Sequence, residues 1–364
     1  MFREIPQNVT VCDGGTDGGS GVGGWFPGAV RLPSGELLAL YSTGVEFEGK
    51  QAVSASRSID GGRTWRCEGT LFDGIAAGPG SLKPTLLRDG RLIATGYFFD
   101  PSGALVNPAT GGLAPGGNYA AFSADGGHTW TPPRRIDTGH PEVLETSGPC
   151  LELADGDLLS VCTPFPMWDG TMPSGRRGLL LRSTDGGRSW RDGGVFFRSA
   201  AGNVSPYESR IVQLPGGRLV VMLWCLDESA GKSLNNHVLF SDDGGATWSA
   251  PLDTGIAGQA SNLLPLADGT LLAIHSLREG DDIGLLLCHA AIAEGRWNVL
   301  RQAKLWDDTR AGRIGSLAEM GENLKFGQPS LLALPDGEFL ALFWAMEDGA
   351  GRILGCRFRL DPRG

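Results

Sequence analysis

The sequence predicts an all-β fold, a six-bladed β-propeller, from three observations. An apolar hairpin phrase occurs six times: LPSGELLAL from Leu32, LRDGRLIAT from Leu87, LADGDLLSV from Leu153, LPGGRLVVM from Leu214, LADGTLLAI from Leu266 and LPDGEFLAL from Leu334. Four of these hairpins lead into a third apolar run and then an Asp-Gly-Gly phrase ending in Trp, at Ser58–Trp65, Ser123–Trp130, Ser183–Trp190 and Ser241–Trp248. Gly supplies 57 of the 364 residues, which suits tight turns and weakens helix interiors.

Each hairpin reads as two antiparallel strands joined by a Gly-containing turn. With a third strand, the Asp-Gly-Gly turn and a strand after the Trp, the unit has four strands and the period of a propeller blade. One such sheet cannot bury both faces, so the copies must pack around an axis. Blades are expected near 25–70, 81–137, 146–197, 207–254, 259–301 and 327–360, within one domain spanning 1–364. Blade five keeps only Gly and Trp of its third turn, in AEGRW (293–297). Blade six stops after three strands at RILGCRFRL (352–360), and the alternating segment EIPQNVTVC (4–12) is expected to supply the fourth. That pairing closes the ring and covers its last edge. TDGGSGVGGW (16–25) reads as a Gly-rich loop.

In each phrase the Gly pair permits left-handed backbone angles, and the Asp and Ser side chains can bond the turn's own amides. The Trp is expected to pack between blades. Four copies of one turn are architecture, whereas a catalytic site needs a single constellation.

Composition excludes several function classes. A net charge of −10, with no basic run, argues against nucleic acid or an anionic membrane as partner. No apolar run approaches a membrane span, and MFREIPQNVTV lacks a signal-peptide pattern. The seven Cys are scattered without a CxxC, which predicts reduced thiols and a cytoplasmic location. His128, His140, His237, His275 and His289 lack metal-ligand spacing, so no metal or other cofactor is expected. There is no GxSxG and no phosphate-gripping loop.

The hairpin turns and Asp-Gly-Gly turns fall on one face of the disc, and the variable loops on the other. DPSGALVNPATGGLAPGG (100–117), PFPMWDGTMPSGRR (164–177), CLDESAGKSLNN (225–236) and the link 301–327 are the long ones. Binding is expected on that face. Aligning blades on the first Leu of each hairpin places Phe26, Ser81, Ser147, Glu208, Ala260 and Gln328 where the first strands open. Ser42, Tyr97, Thr163, Trp224, Ser276 and Trp344 stand where the second strands end. Glu208 is the only carboxyl group among these positions. Trp25, Trp168, Trp224 and Trp344 are candidates for a sugar-stacking surface. Hydrolysis of a glycoside generally requires two carboxyl groups across the scissile bond. Glu208 is the candidate base or nucleophile, and Glu48, Asp227 and Glu145 are the candidate acids. Arg278, Lys83 and Arg177 are candidate contacts for an acidic sugar, and His237 and His275 also belong to the variable face.

S/T-x-D-G-G-x-T/S-W resembles the Asp-box, or BNR repeat, of sialidase-like propellers. YESRIVQLPGGRLVVM (207–222) resembles the blade-four segment of sialidases, in which a Glu opens the strand and partners a nucleophilic Tyr; Glu208 matches that Glu. The family's acid lies in the blade-one loop, here STGVEFEGKQ (42–51), with Glu48 nearest. Trp25 and Trp224 stand where the family has Arg, Gln328 where it has the Tyr, and Trp344 where it has a Glu that steadies an Arg. Arg278 alone is placed to match the remaining Arg. The resemblance implies an exo-acting glycoside hydrolase that removes a terminal sugar, acidic or deoxy, and exchanging Arg for Trp moves it away from sialic acid. The alternatives are a carbohydrate- or protein-binding propeller without catalysis, and a sugar lyase or rhamnosidase-type enzyme using His237 or His275.

Overall fold

The computed structural model describes residues 2–12, 23–45, 48–76, 82–100, 103–280, 282–307, 325–347 and 350–360. The six hairpins form the inner and second strands of six antiparallel sheets, in five of which strand order follows chain order. Blade one comprises Gly23–Arg31, Leu37–Val45, Glu48–Ser58 and Arg66–Ala76. Blade two comprises Leu82–Leu86, Leu92–Phe99, Gly116–Ser123 and Arg134–Ile136. In blade three the inner strand is interrupted, as Leu144–Glu145 and Leu151–Glu152, before Leu158–Pro164, Gly178–Ser183 and Arg191–Phe197. Val204–Gln213, Leu219–Asp227, His237–Ser241 and Leu252–Asp253 build blade four. Blade five contains Ser261–Pro265, Leu271–Leu277, Gly284–Ala293 and Arg296–Asp307.

Blade six joins Phe326–Ala333, Glu338–Glu347 and Ala350–Leu360 to the N-terminal strand Phe2–Cys12. The pairing runs antiparallel from Phe2 opposite Leu360 to Cys12 opposite Ile353. The first strand in sequence therefore completes the last blade.

Apolar side chains gather between blades. Leu38 and Leu40 of blade one meet Leu82 and Leu92 of blade two, and Leu340, Leu342 and Trp344 of blade six meet Leu37 and Tyr41 of blade one. Each such Leu contributes roughly 1.5–3 kcal/mol of burial. The Asp-box Trp residues join these seams: Trp65 between blades six and one, Trp130 between one and two, Trp190 between two and three, Trp248 between three and four.

The four Asp-box turns are self-satisfying. Ser183 Oγ donates to Asp185 Oδ1 (2.9 Å) and accepts from Gly187 N (2.9 Å). Asp185 also accepts from the Ser189 amide (2.9 Å) and hydroxyl (2.6 Å), which hold its carboxyl down at about 2. A group held so far into its ionised form is a poor proton donor, and it faces away from the variable loops. The second Gly has φ near +86° at Gly127 and Gly187, and a Cβ there would lie 2.4 Å from Leu38 Cδ2 or 2.2 Å from Ile93 Cδ1 of the preceding blade. Glycine thus fixes both the turn and the blade spacing. Blade five dispenses with the box and turns on Glu294 and Gly295, both at positive φ, as a two-residue hairpin.

Candidate functional site

Three blades open with the same irregularity. In blades one, four and six, two residues of the first strand oppose one of the second, between Trp25 and Gly28, Tyr207 and Arg210, and Gly327 and Ser330. The first residue of each bulge is not Gly yet has positive φ: Phe26 at 54°, Glu208 at 47°, Gln328 at 40°. Bulges and left-handed non-glycine residues cost energy and concentrate where a side chain must be re-aimed. Pro27 and Pro329 follow two of them, at a place where the ladder needs no N–H.

The bulges bring distant residues together at the axial mouth. Gln328 Nε2 donates to Glu208 Oε1 at 2.6 Å, across 120 residues of sequence. Glu208 N donates to Glu145 Oε2 at 2.8 Å. Lys83 Nζ donates to Phe26 O, to Pro27 O (3.1 Å) and to Gln328 Oε1 (3.2 Å). Arg210 donates to Ser147 Oγ (2.8 Å) and Ser209 O (3.0 Å). Beside them is a small axial void of about 20 Å³, room for about one water, to which Pro27, Lys83, Ser147, Arg210, Asn262 and Pro329 contribute, one from each blade.

The ionisable groups of this cluster act on one another. Burial, then the charge of Glu208, pushes the Glu145 carboxyl up from 4.5 to about 7. Burial and the neighbouring Arg210 lower Lys83 well below its ordinary value. Burial lowers Arg210 too, against the pull of Glu208 and Glu145. Burial and the charges of Glu145 and Glu208 push the Tyr97 hydroxyl well up, so it stays protonated. One oxygen of each carboxyl, Glu145 Oε1 and Glu208 Oε2, is buried without a hydrogen-bond partner. Two adjacent carboxyl groups in this setting favour a state that retains a proton.

The structure therefore unites Glu208, Glu145, Lys83 and Gln328, four of the residues singled out from sequence. Arg210 was missed. Its signal was a lone cation just before the apolar pair Ile211–Val212, two residues after Glu208. Tyr97 stood in the alignment of strand ends without a role.

Other candidates are placed elsewhere. Trp25, Trp224 and Trp344 do not present a stacking surface. They are 4%, 6% and 0% exposed, with Trp25 packed edge-on against Trp344 at 5.0 Å and Trp224 tilted on Tyr207 at 5.7 Å. Large apolar rings at strand ends fill the seams beneath the loops, where their burial is most favourable. Trp168 is 41% exposed, on an insert whose backbone is gripped by Asn107 Nδ2 and Thr110 Oγ1 of the blade-two loop (2.8 and 2.7 Å to Trp168 O). Asp227 ties a loop turn through Ser229 Oγ (2.6 Å) and Asn203 Nδ2 (2.9 Å), and the Ser229 hydroxyl lowers its carboxyl, the opposite of what an acid catalyst needs. Arg278 is buried and donates to Phe326 O (2.8 Å) and Gln259 Oε1 (3.4 Å). Arg177 is half-buried, with Nε unpartnered. His275 is fully buried, contacting Asn236 Oδ1 (2.9 Å) and Ser261 Oγ (3.1 Å), and burial lowers it to about 3. His237 Nδ1 meets Asn235 O at 2.9 Å. Glu48 opens a blade-one strand, and its side chain lies outside the described residues, as do Ser81 and most of the link into blade six. Among the described residues no cluster of His, Cys, Asp and Glu is placed to hold a metal, and no helix is long and apolar enough to cross a membrane.

Comparison with known proteins bears on the fold. A sialidase from Micromonospora viridifaciens is 27% identical over 254 residues, which is 68% of this chain and 32% of that protein. The chain thus spans about a third of that relative's length. A protein of unknown function from Dyadobacter fermentans superposes with a TM-score of 0.74 at 19% identity, covering 99% of both chains. An α-L-arabinanase from Penicillium chrysogenum superposes with a TM-score of 0.63 at 14% identity, covering 98% of both. Both solved structures speak to fold alone. Residues 104–339 match the BNR repeat-like domain, and with six sheets and four Asp-box turns in place, the chain belongs to that family of sialidase-like propellers.

Proposed function

We propose that the chain is an exo-acting glycoside hydrolase that removes a terminal sugar at the axial mouth, with Glu145 as proton donor and Glu208 as its carboxyl partner. One observation carries this reading: carboxyl groups from blades three and four meet at that mouth, and one is raised to about 7 while the other accepts an amide hydrogen bond. An acid poised near neutrality can protonate a leaving oxygen, and a partner of different environment supplies the complementary role. The similarities to a sialidase and to an arabinanase support carbohydrate as the ligand class.

The surroundings favour a sugar without a carboxylate. Trp25 and Trp224 are buried where sialidases carry Arg, and Arg278 is committed to Phe326 and Gln259. A planar guanidinium fork free to bind an anion is what sialoside recognition requires. The reading is tested with a panel of aryl glycosides, neutral ones and a sialoside, on the wild type and Glu208→Gln. Turnover of a neutral glycoside that disappears in the variant, with binding retained, supports it. A variant as active as the wild type refutes it. A second reading, a carbohydrate-binding propeller without catalysis, is favoured by Gln328, an amide that cannot act as a nucleophile, standing where the family's Tyr is expected. It gains if no glycoside is cleaved while sugars still bind.

A further inference from the structure

We infer that Lys83 is a positioning residue, acting through Gln328 on Glu208 without touching substrate; this rests on the proposed hydrolase reading of the mouth. Lys83 spends its donors on protein oxygens, which takes it out of the substrate-contact role its charge suggested. An ammonium has three N–H donors and no acceptor. All three are used: on Phe26 O, on Pro27 O and on Gln328 Oε1. The first two carbonyls belong to the blade-one bulge, and the third partner opens the blade-six bulge.

The consequence for Gln328 is orientational. Its amide can be flipped in principle, exchanging oxygen and nitrogen. With Lys83 donating at 3.2 Å, only the oxygen can face the ammonium, because an NH2 group there would leave donors opposed. The nitrogen must then point to Glu208 Oε1, where it is found at 2.6 Å. A cation in blade two therefore sets the direction of a hydrogen bond between blades six and four. The stem of Lys83 reaches this position by passing close to Gly28, where a Cβ would lie 2.9 Å from Lys83 Cδ. The charged groups facing Lys83 are Arg210, Glu208 and Glu145, with Tyr97 against the two carboxyls.

Two variants cut this relay at different points. Lys83→Met keeps the stem and removes the donors. Gln328→Leu keeps Lys83 on Phe26 and Pro27 but removes the amide. Each is expected to lower kcat on the order of 10²-fold, as small misplacements of a reacting group do, with KM changed less than about twofold. The double variant is expected to lose no more than the worse single one. Lys83→Met should also move the alkaline limb of the pH–rate profile upward, since a nearby positive charge no longer opposes protonation of Glu145. Gln328→Leu, which leaves that charge in place, should move the limb far less. The carboxyl ¹³C resonance of Glu208 reads the relay without turnover, and both variants should displace it in the same direction. An unmoved Glu208 resonance in Lys83→Met, additive losses in the double variant, or a raised KM with unchanged kcat overturns the inference. A wild type that cleaves no glycoside defeats the hydrolase reading instead, and the resonance still decides the relay.

Discussion

Replacing Glu145 by Gln keeps the side chain's shape and removes a single titration, so its effect on stability can be worked out beforehand. In the folded protein the Glu145 carboxyl is raised from 4.5 to about 7, first by burial and second by Glu208. Between those values the folded state holds a proton that the unfolded chain has released. Stability tied to this group is complete below pH 4.5, falls as pH rises through the window, and levels off above pH 7. At 1.36 kcal/mol per pH unit the full loss is about 3 kcal/mol. Glu145→Gln does not titrate, so the stability difference between wild type and variant should shrink, or swing toward the variant, by about 3 kcal/mol from pH 4 to pH 8. Taking a difference cancels the ionisable groups remote from the mouth, including the Asp-box carboxyls, which titrate lower. Urea unfolding followed by tryptophan fluorescence across this range measures it. A difference that stays flat with pH would refute the claim that Glu145 is buried beside a second carboxyl.

Three further outcomes are expected. Gly127→Ala should cost about 2–4 kcal/mol, because it adds a Cβ 2.4 Å from Leu38 Cδ2 at positive φ, whereas Gly126→Ala, with its nearest neighbour at 3.6 Å, should cost about 1 kcal/mol; thermal midpoints rank the two. Trp344→Ala should destabilise by about 3–5 kcal/mol, and Trp168→Ala by less than about 0.5 kcal/mol, since one ring is fully buried and the other half-open; equal shifts in denaturant midpoint would contradict the placement of these rings. His275, lowered by burial to about 3, stays neutral in the fold, so stability is lost as pH falls from 6.5 toward 3. His275→Gln should remove about 3 kcal/mol of that slope between pH 6.5 and 4, read from unfolding at matched pH values.

Much of this architecture was legible because it is periodic. Six hairpins gave six sheets, and the alternation in residues 4–12 announced the strand that closes the ring. Register arithmetic on each hairpin's first Leu put Glu208 and Gln328 at equivalent strand openings, positions that a closed ring brings toward the axis. The rest was hidden for physical reasons. A bulge such as that at Phe26, Glu208 and Gln328 changes which way side chains point, and nothing in WFPGA, YESRI or GQPSL marks the left-handed residue. A Trp near the end of a strand has the same signature whether it lines a mouth or fills a seam, and apolar burial drew Trp25, Trp224 and Trp344 into the seams. Lys83 looked like an anion contact because its backbone acceptors, Phe26 O and Pro27 O, exist only once blade one has bulged. Glu145 was one acid candidate among three, and only the interrupted inner strand of blade three, which lays it against the Glu208 amide, sets it apart.

The most direct measurement is a crystal structure of Glu208→Gln with an uncleaved glycoside that the wild type hydrolyses. The terminal sugar should sit over the axial mouth with its glycosidic oxygen within hydrogen-bonding distance of the Glu145 carboxyl. A sugar bound on the Asp-box face, or lying over Trp168 with Glu145 out of reach, would contradict the account.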